Sequence, residues 1–239
     1  MSARSAVPAH DPTTVPTGGR RRPGAATWFA TVVAVVLAAT LLVAPPASAA
    51  TVSAQTLLNQ LTTGADTATT TYDRARFRHW VDADGDGCDT RAEVLKDESS
   101  VATSHTGTCT ITTGRWTSLY DGVTTTTASG FDIDHMVPLK EAWISGGAAW
   151  TDARRQSFAN DLAYAPSLIA VSASSNRSKS DQDPDSWMPP ASSYACTYVK
   201  EWIAVKWRWN LRIDSAERSA LQGELDRCSS TSVVAPSRA

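Results

Sequence analysis

An apolar run from Trp28 to Ala44, preceded by Arg20-Arg21-Arg22 and followed by Ala47-Ser48-Ala49, decides how much of this chain is left to fold. A basic stretch, a long apolar stretch and small residues at the end are what a secretory signal consists of, which places cleavage after Ala49. A membrane anchor is the competing reading. The run is barely long enough to cross a bilayer, however, and Pro45 and Pro46 end it at once, so cleavage is the expectation. Export leaves about 190 residues, enough for a single domain with a real core. It also carries all four cysteines into an oxidising compartment, where disulfides are the default.

Zinc is the alternative for Cys88, Cys109, Cys196 and Cys228, but the four are scattered and no C-x-x-C pair exists. One bridge can be argued from the pattern. Tyr198, Trp202, Val205 and Trp209 form a helical stripe after Cys196, and Asp214 with Glu217 three residues on marks the start of a second helix. Two antiparallel helices joined by a short turn bring Cys196 back to Cys228, which leaves Cys88 for Cys109. The expected fold is therefore α+β with two disulfides.

Charge narrows the function. Removal of residues 1–49 takes four arginines and one aspartate, leaving 18 basic residues against 23 acidic ones, a formal charge of −5. Such a chain cannot hold nucleic acid by bulk charge. It would need a local basic patch or a metal ion that meets the phosphate. Along the chain, residues 50–71 read as a Thr/Ala-rich linker with one short helix at Leu57, Leu58 and Leu61. Residues 72–230 read as the folded domain and 231–239 as a disordered tail. Thr, Ile, Trp and Tyr runs broken by Gly114, Gly122 and Gly130 predict short strands over 106–135. Helices follow at Leu139–Trp143 and about Thr151–Asp161, with a strand at Leu168–Val171.

The segment Phe131-Asp132-Ile133-Asp134-His135-Met136-Val137-Pro138 carries the most chemistry. A histidine beside carboxylates at a strand end makes a base and a cation ligand adjacent. Alone, such a dipeptide is weak, but Asn160 and then Asn176-Arg177-Ser178-Lys179-Ser180-Asp181 follow in order, with 41 residues from His135 to Asn176. This arrangement resembles the HNH, or ββα-metal, nuclease motif, and both segments are similar to those of the HNH module in RNA-guided nucleases. Cys88-Asp89-Thr90-Arg91, Trp187-Met188-Pro189-Pro190 and Cys196-Thr197-Tyr198-Val199 extend the likeness to secreted actinobacterial HNH proteins related to the nuclease domain of modification-dependent restriction enzymes.

The resemblance implies a ββα-metal core framed by helices. In it His135 is the general base, Asp134 and Asn176 ligate the metal, and Asn160 orients the loop carrying His135. Asp132 supports the ligands from behind, and Arg177 and Lys179 contact phosphate. Asn in the last position offers a neutral oxygen, which suits Mg²⁺ or Mn²⁺ better than zinc. The expected substrate is nucleic acid, DNA before RNA, cut with little sequence specificity by a secreted monomer without stable membrane association.

Asp82, Asp84, Asp86, Thr90 and Glu93 also fall at ligand positions of a calcium loop, and a Ca²⁺ there would be structural. The competing function is a catalytically silent, calcium-stabilised extracellular binding protein that uses its nine tryptophans for recognition. A cell-wall hydrolase is a third, but neither G-x-S-x-G nor H-E-x-x-H occurs.

Overall fold

The computed structural model describes residues 50–239 except residue 69, so the expected export signal lies outside the described residues. In chain order the elements are β1 (Thr51–Ser53), α1 (Ala54–Gln60), α2 (Thr90–Glu98), β2 (Ser104–Thr106), β3 (Thr110–Thr117), β4 (Thr124–Thr127) and β5 (Phe131–His135). There follow α3 (Leu139–Ile144), α4 (Asp152–Ala159), β6 (Leu168–Ser172), α5 (Ala173–Lys179), α6 (Ser192–Arg208), α7 (Ser215–Leu225) and β7 (Ser232–Val234). The fold is α+β, as expected.

The ribbon that positions the candidate site is β5 paired antiparallel with β6, in the register Phe131 with Ser172, Ile133 with Ala170 and His135 with Leu168. Alternation along a strand sends Phe131, Ile133, Leu168 and Ala170 to one face. There they join a smaller core with Ala92, Leu95 and Trp116 from α2 and β3. Ile169 and Val171 join the larger core, built from α1, α3, α4, α6 and α7 around Trp143, Tyr198 and Trp202. The ribbon is thus a wall shared by two apolar clusters. Gly114 in β3 has no room for a side chain, because an added Cβ would lie 2.5 Å from the Trp116 ring.

Local signals account for most of the helices. Asp89 caps α2 by accepting from Ala92 N, Thr151 caps α4, and Asp214 caps α7 by accepting from Glu217 N at 2.8 Å. Glu217 itself does not close a capping box. Its carboxylate is buried and accepts from Trp202 Nε1 and Lys206 Nζ, and Lys206 also donates to Glu141 at 2.6 Å. Both expected disulfides are present, Cys88–Cys109 and Cys196–Cys228.

Two boundaries differ from expectation. The stretch read as a linker supplies β1, and it buries Ala54, Leu57 and Leu58 of α1 in the larger core. Residues 231–239, read as a tail, include β7, which pairs with β1 through Thr51 and Val234. Arg208 also donates to Ser237 O. Neither segment alternates strongly enough to announce a strand; each becomes one by meeting the other.

Candidate active site

His135 ends β5 and is nearly buried, 6% exposed. Its Nε2 lies 3.0 Å from the carbonyl oxygen of Ala159 at the end of α4. A carbonyl can only accept, so this nitrogen carries the proton and Nδ1 keeps the lone pair. The ring stacks with Trp80, centroids 5.7 Å apart and planes at 26°, and lies nearly parallel to Phe158, 6.4 Å and 16°. Burial drives its pKa down to about 3, so the imidazole is neutral near pH 7.

Asp134 points to the other face of β5. Its Oδ2 accepts from Tyr120 Oη at 2.6 Å and from Lys179 Nζ at 2.6 Å, and Lys179 also donates to His135 O at 2.9 Å. Burial first, and the Asp134 charge second, push the Tyr120 hydroxyl well above its ordinary pKa, so it stays a donor. Burial pulls the Lys179 ammonium below its usual value, against the opposing pull of Asp134. With Oδ2 doubly engaged, the other oxygen is what Asp134 has to offer a ligand.

A cleft of about 310 Å³ brings Asp134, His135, Asn176 and Arg177 together, with Arg74, Ser180 and Asp181 along its rim. Asn176 stands on α5, where its Nδ2 donates to Asp132 Oδ2 at 3.1 Å, which leaves its carbonyl oxygen for a cation. The donors that Asp134 and Asn176 offer to the cleft are oxygens, which suit a hard divalent cation. A larger cavity of about 840 Å³ opens beside Val81, Arg154 and Trp209. Its carboxylate, Asp161, is locked to Arg208 at 2.8 and 2.9 Å, so it is not free to act as an acid or base there.

Three expected residues stand elsewhere. Lys179 is fully buried behind Asp134 and cannot reach a phosphate, which corrects its expected role. Arg177, whose side chain is 79% exposed, remains at the rim. Asn160 lies in the wall of the larger cavity. Its Nδ2 donates to Arg78 O and Gln156 O, and its Oδ1 accepts from Val81 N and Thr90 Oγ1; none of these partners is the segment after His135. Thr90 therefore faces inward and is withdrawn from the calcium loop. The carboxylates of Asp82, Asp84 and Asp86 do converge, and Glu93 lies near Asp86, but Asp82, Asp84 and Asp86 already accept from backbone N–H groups of the same turn. Glu93 is also bound by Lys96 at 3.0 Å.

The sequence reading missed Arg74, Trp80 and Tyr120. Arg74 belongs to an arginine-rich stretch, but nothing in its spacing tells it from Arg76 or Arg78. For Tyr120, 14 residues before Asp134, there was no signal at all.

Residues 89–223 match the family described as the C-terminal domain of GmrSD restriction endonucleases. An uncharacterized secreted protein of Arthroderma benhamiae is 49% identical over 177 residues, which cover 74% of this chain and 85% of that protein. No solved structure matches.

Proposed function

Because this chain belongs to the family of GmrSD restriction endonuclease C-terminal domains, we propose that it is a secreted, divalent-metal-dependent endonuclease of the HNH type. It hydrolyses phosphodiester bonds in nucleic acid, DNA before RNA, with little sequence specificity. One observation carries the reading: a neutral histidine, tied down at Nε2, shares a cleft with Asp134 and Asn176 under two arginines.

In this reading His135 Nδ1 takes the proton from the attacking water, help that is typically worth about 10²- to 10⁴-fold. Asp134 and Asn176 would hold Mg²⁺ or Mn²⁺, supported by Asp132, which accepts from Asn176 Nδ2. The ion, when bound, neutralises charge that builds on the phosphate oxygens and the leaving oxygen. Tyr120 and Lys179 keep the Asp134 carboxylate in one orientation. Arg74 and Arg177 bind the phosphates beside the bond that breaks, so a chain of net negative charge still meets a polyanion at this cleft.

Supercoiled plasmid and a structured RNA, incubated with the purified oxidised protein and Mg²⁺, Mn²⁺ or EDTA, test the reading beside His135→Ala. Metal-dependent cleavage should appear, vanish in EDTA, and fall by about 10²-fold or more in the variant. Cleavage that survives saturating EDTA would refute the metal mechanism. A folded protein that cuts under neither ion would move the assignment to a binding protein.

A further inference from the structure

Trp80 has φ +58°, in the left-handed region that a bulky side chain rarely occupies. Strain of this kind persists only where the surroundings impose it. Here one side chain does so. Asn160 Nδ2 donates to Arg78 O at 2.7 Å and Asn160 Oδ1 accepts from Val81 N at 3.1 Å, so the turn is pinned on both sides of Trp80. The result is to lay the indole over the face of His135. The preceding residue, Ala159, accepts from His135 Nε2, and the Phe158 ring lies nearly parallel to the imidazole at 6.4 Å. Two consecutive residues at the end of α4 thus act on the imidazole, Ala159 on one edge directly and Asn160 on one face through Trp80.

A hydrogen bond at Nε2 alone lets the ring swing about the line to its acceptor. An indole laid flat against the ring opposes that swing. We infer that Trp80, held in its strained turn by Asn160, is a positioning residue that stacks on His135 and keeps Nδ1 aimed into the cleft. This rests on the reading that Nδ1 is the base. It also gives the middle asparagine a different task from the expected one: it fixes the turn that covers the histidine, and not the loop that follows it. Packing alone is a weaker account, because Trp80 is only partly buried at the edge of the smaller core.

The test compares Trp80→Ala, Trp80→Leu and Trp80→Phe. Leucine restores bulk without a flat face, and phenylalanine restores the face. Nitrogen-15 NMR of the imidazoles reads the histidine directly, and with only His79, His105 and His135 in residues 50–239 assignment is practical. In the wild type His135 should show one tautomer, with a slowly exchanging Nε2 proton. In the alanine and leucine variants that proton should exchange faster and the two nitrogen shifts should converge, while phenylalanine should keep the wild-type pattern. On a short duplex with Mg²⁺, kcat should fall about 100-fold in the first two variants with KM within about threefold, since a displaced base costs chemistry and not binding. Unchanged His135 nitrogen signals in the alanine and leucine variants would overturn the inference. The NMR result stands whether or not the wild type cuts nucleic acid, so failure here is distinct from failure of the endonuclease reading.

Discussion

Replacing Lys179 with methionine keeps an unbranched apolar stem, one atom shorter, and removes the charge. The ammonium is fully buried, 2.6 Å from Asp134 Oδ2 and 2.9 Å from His135 O, with the rings of Tyr120 and Trp202 beneath it at 5.9 and 5.8 Å. The variant leaves Asp134 in the same enclosed place with only the Tyr120 hydroxyl to answer its charge. Removing one partner of a buried pair typically costs about 3–5 kcal/mol, because the abandoned charge keeps its desolvation penalty. In a domain of this size each kcal/mol moves Tm by about 2–4 °C, so the expected loss is roughly 6–20 °C. Circular dichroism melts of the oxidised protein without added metal would measure it, with Arg177→Met as the control. Arg177 is exposed, so its loss should change stability by no more than about 0.5 kcal/mol. A Lys179→Met protein that melts with the wild type but needs more DNA to saturate would put Lys179 on the phosphate after all, and would refute the placement argued here.

Two more outcomes follow from the same framework. The Cys196–Cys228 bridge spans 32 residues, so removing both cysteines should cost about 3–4 kcal/mol in urea denaturation on chain entropy alone. A loss below about 1 kcal/mol would mean that the helical hairpin holds itself. Burial raises the Glu201 carboxyl to about 7, even though Tyr194 donates to it. An acid whose folded pKa lies above its unfolded value binds more protons when folded, so wild-type stability should fall as pH climbs from about 4.5 to about 7 and then level off. Glu201→Gln retains an acceptor for Tyr194 without the charge. It should therefore melt above the wild type at pH 8 and close to it at pH 4.5, and a pH-independent difference would count against the argument.

What could be seen in the sequence was what a short stretch of chain decides for itself. The α6 stripe at Tyr198, Trp202 and Val205, the Asp214 cap and the strand at Leu168–Val171 each declare themselves within a dozen residues. The Asp-His pair and the later asparagine were legible as a set because their order survives insertions between them. Burial of a charge was not legible. Lys179 sits in a polar run that reads as solvated surface, and only an aspartate 45 residues earlier turns it inward. Thr90 fits its ligand position by count, yet its hydroxyl is claimed by Val81 O and by Asn160, 70 residues away. Strands β1 and β7 depend on a pairing between opposite ends of the folded region, a long-range event to which local propensity contributes little.

The β5–β6 ribbon is a party wall between two rooms, and each room has its own latch. Cys88–Cys109 lies at the smaller cluster, and Cys196–Cys228 ties the two helices of the larger one. A newly made chain with reduced thiols has neither latch closed, so the domain reaches its full stability only after oxidation.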